Sequence, residues 1–509
     1  MVPHVDYVSS CDKRECYMPC LQLLLTVWAG HVTIDILPDD VLLHIFHFVR
    51  VTCLDPRTYP NGGRDEVQWR LSWWFSFVHV SRKWRSVIFA SPIFLNLRLV
   101  CNFRTRVELI GIWPPLPIII RNGDYFPLPE DYDFDAAIVH RDRVCEIKLD
   151  ITSSQLQRLA SAMLEQFPAL IHLRLDLDLL SSRPTLALPD GFLGGSAPRL
   201  KSLWLRSIPF PALPKLLLSA TDLIQLSLVD LPHAGYISPE RIVTALAVLA
   251  NLESLTIEFA SPLSYPGPGS RRSLPPARTV LPALTSFKFQ GVSEYLEDFV
   301  ARIDAPLLDF TWITFFHQLI FDIPLLGEFM RRTASFKTPD EAHLNFDDSG
   351  VLVKFLPRAG AFGEGSMLRI SCRVLEWQLS SLVQLITSFF PSIYTVEQLY
   401  IGTIHMLPSQ WQDDIENVQW LEIFHPFTSV KAFYVSKEFV QCIAPALKEV
   451  AGGRVTDVLP GLKSLFLEGL QSSGSVQEAV EKFVRARQLS GHPVAVSHWN
   501  KTQALLRQF

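Results

Sequence analysis

Between residues 167 and 467 one pattern of apolar and polar positions recurs. It reads apolar-x-x-apolar-x-apolar, in FPALIHLRL (167–175), APRLKSLWL (197–205), TDLIQLSL (221–228), LANLESLTI (249–257), LPALTSFKF (281–289), APLLDFTW (305–312), TVEQLYI (395–401), FTSVKAFYV (427–435) and LPGLKSLFL (459–467). DRVCEIKL (142–149) reads as a first copy and EAHLNF (341–346) as a poor one. The first apolar slots are 170, 200, 223, 252, 284, 307, 396, 430 and 462, with steps of 23–34 residues apart from 89 after 307, a gap expected to hold two or three decayed copies. The alternation inside each copy predicts a strand, with Leu203 and Leu205 pointing in and Trp204 pointing out. One such strand cannot close a core, so copies must stack and share an interior.

Helical periodicity fills the intervals. Ser238-Pro239 starts one helix, with Ile242, Val243, Leu246 and Leu249 on a face, and SEYLEDFVARI (293–303) is another. Ser475 and Glu478 have capping-box spacing, Val476, Val480, Phe483 and Val484 follow on one face, Gly491 is a stop, and 492–499 reads as a short strand. An L-x-x-L-x-L phrase every ~20–29 residues is the strand half of a leucine-rich repeat. The predicted fold is therefore α/β, an irregular leucine-rich-repeat-like solenoid with a parallel sheet on its concave face. The rival is an ordinary α/β sheet domain, which has little reason to reuse Pro-x-Leu before so many strands. Outward strand positions would line the concave side: Arg174, Trp204, Arg206, Lys288, Tyr400, Tyr434 and Phe466. These residue types are enriched at binding hot spots, unless loops or helices cover them. The Pro-, Gly- and Arg-rich stretch 261–278 reads as a surface loop.

Near the start, ILPDDVLLHIFHFV (36–49) combines an early Pro, two acids and an apolar stripe, the marks of an amphipathic helix. Residues 51–67 carry two Pro and Asn-Gly-Gly, a loop signal. Phe77, Val80, Trp84, Val87 and Ile88 then space as a second helix, with Arg82, Lys83 and Arg85 on its wet side and Ser91-Pro92 as its stop. Leu95, Leu97 and Leu99 alternate as a strand would.

Composition narrows the function classes. Of 509 residues, 48% are hydrophobic and 19% charged, as in folding chains. The net charge of −5 argues against a nucleic-acid partner. No apolar run reaches the ~18 residues of a membrane helix: Cys20–Gly30 is short and broken by Gln22 and Thr26. Acids at 6, 12 and 15 argue against a signal peptide. The eight Cys read as reduced thiols of an intracellular, cytoplasmic or nuclear protein. Cys11, Cys16 and Cys20 lack a second ligand pair at finger spacing, so no metal and no cofactor is expected. His44 and His47, three apart, lack a third ligand nearby. P-loop, GxGxxG, HExxH and GxSxG signatures are absent from the sequence, which leaves an enzyme without positive support.

The N-terminal pattern resembles an F-box. LPDDVLLHIF, a loop, and FVHVSRKWRSVIFASPIFLNLRL match the family's Leu-Pro-acid helix start followed by Val-x-polar-x-x-Trp-Arg, across residues 36–99. The long linker departs from the usual tighter family pattern, and long linkers of this kind are familiar from F-box proteins of mushroom-type fungi. The resemblance implies docking on a Skp-type adaptor, and through it a cullin, by Leu37, Pro38, Val41, Leu42, Ile45, Phe46, Val80 and Trp84. The bland alternative is that these residues only pack one helix on another; Trp84 leans that way. The layout is then an extension at 1–33, an F-box at 34–100 with its internal linker at 51–67, a connecting segment at 101–140, the solenoid at 141–470 and a cap at 471–509. The implied role is a non-catalytic substrate receptor of a Skp–cullin–F-box ubiquitin ligase, with an unknown target protein on the solenoid. The alternatives are a binding scaffold that never meets a cullin and a cryptic enzyme.

Overall fold

The computed structural model describes residues 36–54, 73–101, 110–122, 135–178, 187–264, 277–318, 321–333, 339–356, 366–372, 375–389, 393–403, 417–452, 455–469 and 474–499. The expected extension at 1–33, the triplet Cys11, Cys16 and Cys20, most of the 51–67 linker and most of 261–278 lie outside the described residues. The chain divides into two compact units, residues 1–100 with 108–117, and 101–107 with 118–509.

The first unit is helical. Helix α1 (Asp39–Leu54) opens with Asp39 and Asp40 in its first turn and runs four residues into the expected loop. Its inner face is Leu42 and Phe46, both fully buried. Phe46 lies edge-on to Trp84 at 5.1 Å and to Phe77 at 5.8 Å. The expected single helix across Phe77 and Val80 is instead two pieces, α2 (Trp74–Phe77) and α3 (Arg82–Ala90). Ser81 breaks it: its backbone is extended and its Oγ accepts from the Trp84 N–H, an N-cap that restarts the helix. The helix ends before Ser91-Pro92 as expected. Leu95 and Leu97 are buried in turn and irregular backbone, and only β1 (Leu99–Cys101) is extended. Trp74 fixes the far end, with its Nε1 donating to the Arg98 carbonyl and its ring edge-on to Trp113.

The second unit begins with β2 (Ile118–Arg121), so the repeating array starts before residue 141. It continues with α4 (Asp135–Ile138), β3 (Val144–Ile151), α5 (Ser153–Ala162), β4 (His172–Leu177), β5 (Ser202–Arg206), α6 (Leu213–Leu217), β6 (Gln225–Leu231), α7 (Pro239–Leu246), β7 (Ser254–Phe259), β8 (Thr279–Val280) and β9 (Ser286–Gly291). Then come α8 (Ser293–Val300), β10 (Ile303–Asp304), β11 (Phe310–Phe316), α9 (Pro324–Arg332), β12 (Glu341–Asp347), β13 (Gly350–Leu356) and β14 (Ser366–Ser371). The chain goes on through α10 (Leu375–Phe389), β15 (Gln398–Thr403), α11 (Asn417–Phe424), β16 (Ala432–Val435), α12 (Lys437–Val450), β17 (Ser464–Glu468), α13 (Ser475–Leu489) and β18 (Ala495–Trp499). The strands form one sheet in the order β2-β3-β4-β5-β6-β7-β9-β11-β14-β13-β12-β15-β16-β17-β18, while β8 and β10 pair separately.

Except at 305–312, the clear copies of the repeated phrase place their three apolar slots on one face. Leu170, Leu173 and Leu175 are at most 2% exposed, and the equivalent leucines at 200, 203 and 205 at most 1%. Helices cover that face. Phe287 stacks on Phe299 of α8 at 5.6 Å, Phe433 meets Phe424 of α11 at 5.2 Å, and Phe346 meets Phe439 of α12 at 5.0 Å. Each helix from α6 to α13 packs on the next. Full burial of one such side chain stabilises by about 1.5–3 kcal/mol, which is why three per strand suffice to hold each layer.

Two expectations fail in the middle of the array. The copy at 305–312 is one residue out of register. Leu308, Thr311 and Ile313 point in, Leu307 is 59% exposed and Trp312 points out. Thr311 in an apolar slot hides the pattern, and its hydroxyl bonds Ser366 Oγ there. The long gap holds a meander in place of decayed copies: β12 pairs with β15 in parallel, β13 runs antiparallel between β12 and β14, and β14 pairs with β11 in parallel. The tight turn at its head needs glycine, because a Cβ at Gly350 would sit 2.1 Å from the Ile370 carbonyl oxygen. Asp347 shapes that turn by accepting from Ser349 N and Oγ and from Arg369. At the other end the expected capping box is absent. Gly474, with φ 136, is the N-cap of α13 and Ser475 is already helical.

Candidate binding face

The face away from the helices carries the residue between the last two apolar slots of each copy. Strand register joins these into one row. Arg174, Trp204, Ser227, Thr256, Lys288 and Trp312 lie side by side across β4, β5, β6, β7, β9 and β11. The row continues through Met367, Lys354 and His343 to Tyr400, Tyr434, Phe466 and Ser497. Of the seven positions expected on this face, Arg206 alone stands off the row, two residues further along β5. Trp312, His343, Lys354 and Met367 were missed, since they sit in the slipped copy and the meander. The alternation in EAHLNFD and GVLVKFL around Asp-Ser-Gly was the signal that could have found two of them.

At one end the row is a ladder of rings. His343 stacks on Tyr400 at 4.2 Å and 7°, Tyr400 on Tyr434 at 4.3 Å and 8°, and Tyr434 on Phe466 at 4.4 Å and 6°. Parallel strands in register hold equivalent side chains about 4.8 Å apart, close to the centroid separation of offset-stacked rings. Each contact adds about 0.5–1.5 kcal/mol beyond burial. The Trp499 ring crosses the ladder at 5.6 Å from Tyr434. Tyr400 Oη donates to Gln398 Oε1, and burial, with Tyr434 and Glu341 nearby, pushes its ionisation well above the ordinary tyrosine range. It therefore stays a neutral donor.

The other end is ionic. Arg174 lies over the Trp204 ring at 4.6 Å, and Asp176 ties the pair by accepting from Arg174 Nε at 2.6 Å and from Trp204 Nε1 at 3.0 Å. Arg206 Nε donates to Asp230 at 2.8 Å. Asp230 has φ 53, a left-handed backbone uncommon for a residue with a Cβ. Glu258 is half-buried, and burial followed by the Asp230 charge raises its carboxyl above the usual range, against Lys288 and Arg206. Between Trp204 and Lys288 the row dips to small residues, Ser227 fully buried and Thr256 at 5% exposure.

In the first unit the residues expected to meet an adaptor separate into two sets. Leu42, Phe46 and Trp84 are at most 4% exposed and fill the unit's own core. Val41 is 39% and Val80 55% exposed, Pro38 is exposed, and Leu37 and Ile45 are half-buried. Ile36 at 65% and Phe48 at 71% were missed, although Phe48 follows Val41 by seven residues on the same side of α1. Lys83 anchors the helix start by donating to the Leu37 carbonyl.

Among the described residues no group of three or more His, Cys, Asp or Glu is placed to hold a metal. Cys101, Cys145 and Cys372 are buried, and burial pushes the Cys101 thiol up to about 11. No described helix is long and apolar enough to cross a membrane.

No protein-family model and no curated protein matches the chain. Among solved structures, a leucine-rich repeat-containing protein of Legionella pneumophila, LegL7, is similar at 12% identity and a TM-score of 0.28, over 76% of this chain and 96% of that one.

Proposed function

We propose that this chain is a non-catalytic substrate receptor of a Skp–cullin–F-box ubiquitin ligase. The first unit docks a Skp-type adaptor, the ring-and-arginine face of the leucine-rich-repeat-like array holds a target protein inside the cell, and catalysis belongs to partner subunits. The observation that carries the reading is the double character of α1. One side, Leu42 and Phe46, completes the unit's own core, while Val41 and Phe48 stay exposed at 39% and 71%. Exposed apolar side chains clustered on a small helical unit mark a contact surface. The F-box resemblance of residues 36–99 names the partner.

Because Leu42 and Phe46 are core, substituting them would test folding. Val41→Asp plus Val80→Asp acts on exposed positions instead. Affinity capture of the intact chain is expected to recover a Skp-type adaptor, and the double variant to lose it while keeping its melting temperature. The second reading, an interaction scaffold outside ubiquitination, takes over if the intact chain recovers target proteins without an adaptor.

A further inference from the structure

The ionic end of the face holds two guanidinium groups in a particular way. Arg174 and Arg206 are each anchored through Nε, to Asp176 and Asp230. No other hydrogen bond to either guanidinium exists among the described residues. Their side chains remain 41% and 49% exposed. Arg174 is further pinned by the Trp204 ring beneath it. Both terminal Nη pairs are thus preorganised with donors to spare, the geometry that takes a carboxylate or phosphate bidentately.

Charge and spacing choose between anions. Asp176, Asp230 and Glu258 each act on Arg206, and Asp176 also holds Arg174. Asp176 and Asp230 already occupy the two Nε atoms, so each arginine is left with one outward Nη edge that matches one planar carboxylate. The two arginines stand on adjacent strands, two positions apart, so they are diagonal neighbours about 7–8 Å apart. Side chains at i and i+2 of an extended chain lie about 6.6–6.8 Å apart on one face. We propose that this end of the face binds an extended acidic segment of the target, an Asp/Glu-x-Asp/Glu sequence whose alternate carboxylates engage Arg174 and Arg206. The proposal rests on the reading of this face as the target-binding surface and gives its ligand a chemical class.

The test uses the full chain and three fluorescein-labelled octapeptides: alternating Glu-Thr, alternating Gln-Thr, and alternating phosphoserine-Thr, read by fluorescence anisotropy. The Glu-Thr peptide is expected to bind at least about tenfold more tightly than Gln-Thr. Arg174→Lys and Arg206→Lys, which keep the charge but lose the fork, are each expected to weaken it several-fold, with unchanged melting temperature. Leu489→Ser, at an exposed position on the last helix, is expected to leave it unchanged. Equal binding of Glu-Thr and Gln-Thr, or indifference to both lysine variants, overturns the proposal. A phosphoserine peptide binding about tenfold more tightly than Glu-Thr also overturns it, in favour of a phosphate reader. Peptide failure together with target capture that is lost in Tyr434→Ala leaves the face as the binding surface and removes only its acidic ligand. Peptide success without adaptor recovery removes the ligase role and keeps the ligand.

Discussion

Arg487 carries a positive charge into the interior, at 0% exposure, with no carboxylate beside it among the described residues. Its Nη atoms donate to the carbonyls of Val455, Pro460 and Leu462, so one side chain ties α13 to the loop before β17. Arg487→Leu strands those acceptors, each a buried loss of about 1–3 kcal/mol when unmet. The variant is expected to unfold about 3 kcal/mol more easily in urea than the native chain, and a loss below about 1 kcal/mol would mean that water replaces the guanidinium. Gly350→Ala is expected to lower the melting temperature by several degrees, because its Cβ meets backbone. Single residues also decided what was legible. Apolar slots filled by Leu, Val, Ile or Phe were read in register, while Thr311 disguised a buried slot and sent Trp312 to the wrong face.

At the scale of elements, Glu297 links two helices. Its carboxylate accepts from the Leu325 and Leu326 N–H groups in the first turn of α9. Burial raises its pKa to about 7 against those two donors, with the Asp322 charge adding to the rise. The folded protein therefore keeps a proton between its ordinary value of 4.5 and about 7 that the unfolded chain gives up. That contribution is present at low pH and fades as pH rises through the window. The slope is expected to total about 2 kcal/mol after allowance for partial solvent screening, and Glu297→Gln to flatten it. Denaturant titrations at pH 5 and pH 7.5 on both proteins check this, and an unchanged slope in the variant contradicts it. Elements were unevenly readable. Helices with stops and Pro starts, such as α7 with its Ser238 cap, stood where periodicity put them. The α2–α3 break did not, since Ser81 looks polar and ordinary until its backbone turns it into a cap. The meander failed for a different reason: strand order is a long-range property, and β12 skips past two later strands to reach β15.

At the scale of the whole molecule, repetition made the array legible, because each copy restates the same three inward slots. The face it builds was legible too, since the residue between two inward slots must point out. The ring ladder was only half visible: Tyr400, Tyr434 and Phe466 came from clear copies, but His343 came from the meander. Tyr434→Ala interrupts the stack at its middle and is expected to lower recovery of target proteins in proximity labelling without changing adaptor recovery. The helices of the first unit were legible through their apolar periodicity, which, Trp84 apart, did not separate core residues from exposed ones.

The proposed adaptor docking depends on the exposed apolar side of α1, with Val41 and Phe48 at 39% and 71% exposure. Isothermal titration of the full chain with a purified Skp-type adaptor measures this directly. The account predicts one-to-one binding with a negative heat-capacity change, as apolar burial requires, and at least about a tenfold loss of affinity in Val41→Asp. Absence of binding by the native chain, or binding that Val41→Asp and Val80→Asp together leave intact, would contradict it.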